Sequence, residues 1–303
     1  MILVSSSSSM SQNARLLIVL FSGLAALLWL NRPNCDANSS KISTEVEKLP
    51  TIYAITPTYY RPVQKAELTR LSQTLQLVPN VFWVIIEDAT EISDLVRDLR
   101  KRSGLYKRSV QLFCQTPDNY KLKPKDPHSS KARGVDQRNT GLQFVRRRMT
   151  EKSEHAIVFF MDDDNTYSVE LFREMAKIEK GRVGVWPVGL VGGLMVEKPI
   201  VDANGVVASF NAAYQPQRVF PIDMAGFAIA GDLLLNVPEA GFSYETKPGW
   251  QETKFLEQLT TRKKLQPLAN RCMDVLVWHT RTQEPVLKYE KKRKVASDFG
   301  MEV

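Results

Sequence analysis

The chain has 303 residues, 43% hydrophobic and 24% charged, which allows a sizeable core and excludes a disordered or collagen-like polymer. Its formal charge of +8 reflects either plain solubility or an anionic partner such as a nucleotide, nucleic acid or acidic polysaccharide. No zinc-finger spacing or other nucleic-acid motif is present, so nucleic acid is set aside.

Near the start, residues 16–30 read LLIVLFSGLAALLWL, without a charge between Arg15 and Arg32. At ~1.5 Å per residue this run is short of a ~30 Å hydrocarbon core. A cleaved signal peptide, a buried core helix and an uncleaved signal anchor compete for it. The following NRPNCDA offers no small-x-small cleavage site, and a core helix sits badly before a polar spacer, so the anchor is favoured. Trp29 suits a membrane interface, and a short span suits the thinner membranes of the early secretory pathway. The chain then divides into a cytoplasmic tail (1–15), an anchor (16–30), a polar stem (31–49) and a lumenal domain (50–303). Asn38 heads an Asn-Ser-Ser glycosylation sequon, usable only in the lumen. Cys35, Cys114 and Cys272 form no CxxC pair, which argues against a zinc or redox site. Cys35, in the stem, is the candidate for a bridge between chains; spacing leaves open whether Cys114 and Cys272 meet.

From residue 50 on, apolar runs alternate with helical patterns. TIYAI (51–55), VFWVII (81–86), VQLFC (110–114), AIVFF (156–160), VGVWPVGLVGG (183–193) and VLVW (275–278) are rich in β-branched and aromatic residues, as strands covered on both faces are. Between them, Pro62 opens a helix carrying Leu68, Leu71 and Leu75 on one side. Ile92, Leu95, Val96 and Leu99 follow helical spacing up to Gly104, and Leu171, Phe172, Met175 and Ile178 do so after a Ser168 cap. This alternation predicts an α/β domain with a mostly parallel sheet.

Several strands end in polar clusters: Thr56-Pro57-Thr58-Tyr59, Glu87-Asp88, Asp162-Asp163-Asp164 and His279-Thr280-Arg281. Ligands of open α/β sheets bind beyond the carboxyl ends of the strands. One aspartate there would simply face water. Three in a row repel one another, and a divalent cation bridging carboxylate to a substrate diphosphate offsets that cost. Nucleotide-sugar transfer uses such a site. A haloacid-dehalogenase phosphatase is the alternative, because FFMDDDNT also matches four apolar residues followed by DxDx(T/V). No convincing second acidic motif supports it, and the motif stands in mid-domain. Arg133 and Arg138, in RGVDQRN, open a helix and suit two-pronged contact with phosphate or carboxylate, whereas RRRM (146–149) reads as an exposed basic face.

TPTYYRPVQKAELTRLSQTL, VIIEDA, RGVDQRN, DDDNTYS, VWPVGLVGG, FPIDMAGFA and VLVWHTRT together resemble the β-1,3-glucuronyltransferases of glycosyltransferase family 43, in order over residues 50–285. The resemblance implies a GT-A fold, a single-pass type II Golgi membrane protein, UDP-glucuronate as donor, Mn²⁺, and inversion at the anomeric carbon. It assigns Pro57, Thr58, Tyr59 and Asp88 to the uridine, and Arg133 and Arg138 to the donor's phosphate and sugar. Asp162, Asp163 and Asp164 become the DxD-type site with Asp164 as metal ligand; His279, with Arg281 beside it, touches the diphosphate. Glu252 aligns with the catalytic base, although on its own it reads as a solvated helix glutamate. Glu197, Arg218 and Asp223 match galactose-binding positions, and Tyr214 stands where the linker enzyme has Trp and the HNK-1 enzymes have Phe. The implied acceptor is a terminal galactose, first the Gal-Gal-Xyl linker of a proteoglycan, second N-acetyllactosamine. A relative that binds sugar without turnover is a further class, opposed by the intact Asp164 and Glu252. The resemblance also implies a homodimer whose C-terminal tail reaches the partner's site; the basic KYEKKRK (288–294) in that tail imitates a nuclear signal that an anchored enzyme would not use.

Overall fold

The computed structural model describes residues 49–303 except 124, 125, 127–130, 153, 154, 284 and 299. The anchor, the stem up to residue 48, Asn38 and Cys35 lie outside the described residues. Among the described residues no helix is long and apolar enough to cross a membrane.

The first half alternates strand and helix: Thr51–Thr58 (β1), Gln64–Gln76 (α1), Val81–Glu87 (β2), Asp94–Arg102 (α2), Ser109–Phe113 (β3), Val135–Lys152 (α3) and Ala156–Phe160 (β4). The second half has shorter elements: Thr166–Tyr167 (β5), Val169–Met175 (α4), Val183–Val185 (β6), Val188–Val191 (β7), Leu194–Val201 (β8), Val207–Asn211 (β9), Phe227–Ala230 (β10), Gly231–Asn236 (α5), Gln251–Leu259 (α6), Leu265–Pro267 (β11) and Val277–Trp278 (β12). A seven-stranded sheet runs β11-β6-β10-β4-β1-β2-β3, and a five-stranded sheet runs β5-β12-β7-β8-β9. In the larger sheet β1 to β4 are mutually parallel, β11 is parallel to β6, and β10 runs antiparallel between β4 and β6. The predicted α/β architecture with a mostly parallel central sheet is therefore present; that sheet has one reversed strand, and the smaller sheet is mostly antiparallel.

Ile52–Ile55 of β1, most of β2 and all of β4 are apolar and buried because both faces of these strands are covered. On one face Ile52, Ala54, Trp83 and Ile85 pack with Leu68, Leu71 and Leu75 of α1 and Val96 of α2. On the other, Tyr53, Ile55, Val84 and Ile86 pack with Val135, Leu142 and Val145 of α3. Truncating one of these buried leucines to alanine would cost ~2–5 kcal/mol. Gly141 lets α3 approach the sheet: a Cβ there would lie 2.6 Å from Ile55 Cγ2. Both strand ends and helix starts thereby converge on one rim.

Several expected boundaries shift. The run 183–193 is two strands, because β6 belongs to the large sheet and β7 to the small one, with Trp186 and Pro187 making the crossing. VLVW contributes only its last two residues as β12. Ile92 is exposed ahead of α2, whose cap is Ser93 accepting from the Val96 amide. Ser168 caps α4 as expected, accepting from the Glu170 amide, while Ile178 is buried beyond the helix end. Glu87 is not on the polar rim: it is the buried last residue of β2, accepting from Gln111 at 2.6 Å and from the Ser93 amide at 3.1 Å. Nor is RRRM an exposed basic face. Arg146 donates to the carbonyls of Leu234, Val237 and Ala240, Arg148 lies 4.1 Å over the Phe82 ring, and Met149 is buried. Cys114 and Cys272 are both free thiols, and burial pushes Cys272 up to about 12.

Candidate active site

The three aspartates follow β4, the strand neighbouring β1, so the ends of these two strands share one edge. Each aspartate has a different environment. Asp162 pairs with the Arg138 guanidinium at 2.6 Å, and Tyr167 donates to its carbonyl. Asp163 is buried, accepting from Thr58 Oγ1 at 2.7 Å and pairing with Arg61 at 2.7 Å. Burial pushes its carboxyl up to about 6, against the pull of Arg61 and Thr58. Asp164 is held through its backbone, its carbonyl accepting from Arg70 and from Thr280 Oγ1. Among the described residues its carboxylate has no hydrogen-bond or ion-pair partner. Burial first, then the charges of Asp162 and Glu67, raise it above the ordinary carboxylate range.

Asp163 is thus the structural member of the trio and Asp164 the one left to bind something. No group of three or more His, Cys, Asp or Glu fit to hold a metal exists among the described residues. A cation here would be held by one or two carboxylates, with the substrate and water supplying the rest, the usual manner of hard divalent ions with phosphates.

Pro57, Thr58, Tyr59 and Asp88, the residues expected at the uridine, gather at the ends of β1 and β2. Thr58 donates to Asp163, and the half-exposed Tyr59 ring carries Arg61 at 4.5 Å. Pro57 lies against the start of α3, 3.5 Å from where a Gly134 Cβ would stand. Asp88 accepts from both the amide and the hydroxyl of Thr116 at 2.7 Å. Arg133 precedes α3 rather than lying in it, and its carbonyl accepts from Arg138.

Across from them, β12 delivers His279. Its Nδ1 meets Asp223 Oδ2 at 3.2 Å, and that bond raises the imidazole above its ordinary 6.5. Arg281 reaches its other nitrogen at 3.5 Å. Asp223 also caps the Ala225 amide, so one carboxylate serves a loop and the histidine. Arg218 donates to the carbonyls of Gly249, Tyr214 and Gln215, and lies 5.4 Å from the Tyr214 ring centroid. Glu197 is buried and accepts from the Ala213 amide; burial raises its carboxyl. Tyr214 keeps about half of its surface exposed.

Glu252 sits in the first turn of α6. Burial, then the charge of Asp223, push its carboxyl up to about 7, opposed by its own amide and by Arg138 and Arg218. It therefore feels both groups of side chains: Arg138 from the aspartate side, Arg218 and Asp223 from the other. A carboxyl poised near neutrality can take a proton at neutral pH. The solvated-helix reading of this residue is wrong, because it rested on its own helix and not on what faces it.

Four further residues shape the site. Arg61 joins Asp163 to Glu67 of α1; Thr280 fixes Asp164; Thr116 fixes Asp88; and Tyr244 donates to Asp136 in α3 while stacking on Tyr120 at 3.8 Å. Arg61, inside TPTYYRP, and Thr280, inside VLVWHTRT, lie in motifs, whereas Thr116 and Tyr244 have no sequence signal.

Comparison with known proteins agrees with the geometry. Residues 71–283 match the model of glycosyltransferase family 43. The galactosylgalactosylxylosylprotein 3-beta-glucuronosyltransferase I of Drosophila melanogaster is 58% identical over 261 residues, covering 85% of both chains. The corresponding 3-beta-glucuronosyltransferase 2 of Homo sapiens is 48% identical over 247 residues, 81% of this chain and 73% of that one. The 3-beta-glucuronosyltransferase 3 of Mus musculus is 47% identical over 271 residues, 86% and 79% of the two chains. With a family model matched over most of its length and relatives of this similarity, the chain belongs to glycosyltransferase family 43.

Proposed function

We propose that the protein is an inverting glucuronyltransferase that moves glucuronate from UDP-glucuronate to the 3-OH of a terminal galactose, with Gal-Gal-Xyl of a proteoglycan linker as the acceptor. The names carried by its relatives support the donor sugar and the linker acceptor. The observation that carries the reading is family membership with close relatives over most of the chain; the chemistry falls to Glu252, in the first turn of α6, whose carboxyl burial and the charge of Asp223 push up to about 7 against Arg138 and Arg218. Glu252 takes the proton of the acceptor 3-OH, the oxygen attacks the anomeric carbon from the face opposite the diphosphate, and the bond from that carbon to the diphosphate breaks. UDP leaves with the electron pair, and the new bond has inverted configuration. His279, made more basic by Asp223, meets the departing charge, and Arg133 and Arg138 bind the donor's phosphates and carboxylate.

A Mn²⁺ ion fits at Asp164, whose carboxylate has no partner among the described residues and is raised by burial first and then by the charges of Asp162 and Glu67, which a cation would relieve. When bound it supplies charge neutralisation to the leaving diphosphate. We place the protein in the Golgi membrane, anchored by residues 16–30 with its catalytic domain in the lumen and acting as a homodimer. Family membership leaves the phosphatase reading without support.

The test is transfer by the full chain in detergent, given UDP-glucuronate and Mn²⁺, with Gal-Gal-Xyl and N-acetyllactosamine offered side by side. Preference for Gal-Gal-Xyl is expected. Comparable use of both would place the protein with the broad-specificity enzymes, a reading that Tyr214, neither Trp nor Phe, keeps open. Transfer to neither overturns the proposal.

A further inference from the structure

The hydroxyl of Tyr214 is used in two hydrogen bonds. It donates to the Pro248 carbonyl at 3.3 Å and accepts from Gln215 Nε2 at 3.1 Å. The other end of the same amide, Gln215 Oε1, accepts from Trp250 Nε1 at 2.7 Å. Trp250 is the cap residue of α6, two residues before Glu252. Gln215 thus connects the exposed ring of the acceptor segment to the start of the helix that carries the base.

The backbone is shaped for this contact. Gln215 has φ of 45°, a left-handed conformation that disfavours a side chain other than Gly, Asn or Asp. Gly249, at φ 78°, packs so closely on the Tyr214 ring that a Cβ would lie 2.5 Å from its Cε1. Strain of this kind persists where the surroundings enforce it. Two further bonds hold the 214–220 segment to the same helix start: Arg218 to the Gly249 carbonyl at 2.6 Å, and Thr253 Oγ1 to the Phe220 carbonyl at 2.7 Å. Those two fix the backbones together. The Tyr214–Gln215–Trp250 bridge links, through side chains, an exposed aromatic face on which a sugar can stack to the cap residue two positions before Glu252.

We propose that Gln215 is a positioning residue that registers Glu252 against the acceptor lying on Tyr214. This deepens the function proposed above and rests on it. With the bridge intact, the acceptor hydroxyl and the Glu252 carboxylate hold one relative position. Without it, the ring and the helix start move independently, and a misplacement on the order of 1 Å costs roughly 100-fold in rate.

Gln215→Gly is the informative variant, because glycine relieves the left-handed backbone while deleting the amide. The full chain is assayed for glucuronyl transfer with separate kcat and KM for donor and acceptor, alongside its thermal midpoint. The expected result is a kcat lower by roughly 10- to 100-fold, an unchanged donor KM, and a midpoint equal to or above that of the wild type. Tyr214→Phe should give a similar loss, and the double variant should lose no more than either single one, since both break one bridge. A Gln215→Gly enzyme with wild-type kcat, or additive losses in the double variant, overturns the inference. A fall in kcat matched by a fall in midpoint would reduce Gln215 to a folding role and overturn it as well. Failure of the functional reading shows separately, as an absence of transfer by the wild type.

Discussion

Replacing Glu252 with glutamine should make the protein less active and, at high pH, more stable. The environment of Glu252 raises its carboxyl from 4.5 to about 7. Its folded value lies above its unfolded value, so the folded protein holds the proton more tightly. Ionisation then opposes folding, and stability is lost as the pH rises from 4.5 through about 7. A rise of that size corresponds to at most ~3 kcal/mol once the group is fully ionised. Glutamine cannot ionise, so Glu252→Gln escapes this loss. Burying the amide has its own cost, but that cost does not depend on pH and cancels when two pH values are compared. The assay is the thermal midpoint of wild type and variant at about pH 5 and about pH 8, where 1 kcal/mol corresponds to roughly 2–4 °C for a domain of this size. The variant should gain several degrees relative to the wild type between the two conditions. Transfer should fall by roughly 100- to 10,000-fold, and the wild-type kcat/KM should decline as the pH drops below about 7. An identical pH dependence of the midpoint in both proteins would show that the carboxyl is not desolvated, and the case for a poised base would fail with it.

Arg61→Met should destabilise the fold by ~3–5 kcal/mol in chemical denaturation, because it leaves the buried Asp163 unpaired; adding Asp163→Asn should recover part of that loss. Asp164→Asn should abolish Mn²⁺ binding read by electron paramagnetic resonance, and transfer with it, while leaving the thermal midpoint at or above the wild-type value, since it removes a carboxylate raised by burial and then by like charges. Asp223→Asn should lower the His279 titration observed by NMR, because the bond to Asp223 is the largest cause of its upward shift. The wild-type His279–Asp223 pair stabilises the fold at pH values below the ordinary imidazole value of 6.5, and that contribution fades as the pH rises through the raised folded value.

The sheet was legible because its signal is local. A strand covered on both faces must be apolar at consecutive positions, as Ile52 to Ile55 and Ala156 to Phe160 are, and no distant partner is needed to see it. The boundaries that moved depend on non-local choices. Nothing between Val183 and Gly193 says that the first half of the run pairs with β10 and the second with β8. The same limit governs the charges. Glu87 and Asp88 read alike, yet only Asp88 reaches the rim, since Gln111 on the next strand claims the other. Arg146 read as solvated because its three carbonyl partners lie about ninety residues downstream.

The site shows the same division at higher stakes. Three adjacent aspartates stand out in one dimension because their mutual repulsion is itself local, so the expectation of a cation–diphosphate site could be raised from the residues alone. Glu252 did not stand out, because what makes it a base belongs to other segments: Arg138 on α3, and Arg218 and Asp223 on the stretch before β10. Asp223 explains why family resemblance was needed and why it was incomplete. Resemblance assigned it to the acceptor; the fold also makes it the partner of His279 and a contributor to the raised state of Glu252. A single carboxylate therefore raises both His279, proposed to face the leaving group, and Glu252, proposed to face the attacking hydroxyl. Both effects act in the direction the reaction needs. Neutralising Asp223 should consequently weaken both at once, which separates it from a residue that only binds galactose: the acidic limb of the rate profile should move to lower pH with Glu252, together with the His279 titration, while loss of acceptor contacts alone would raise KM and leave both in place.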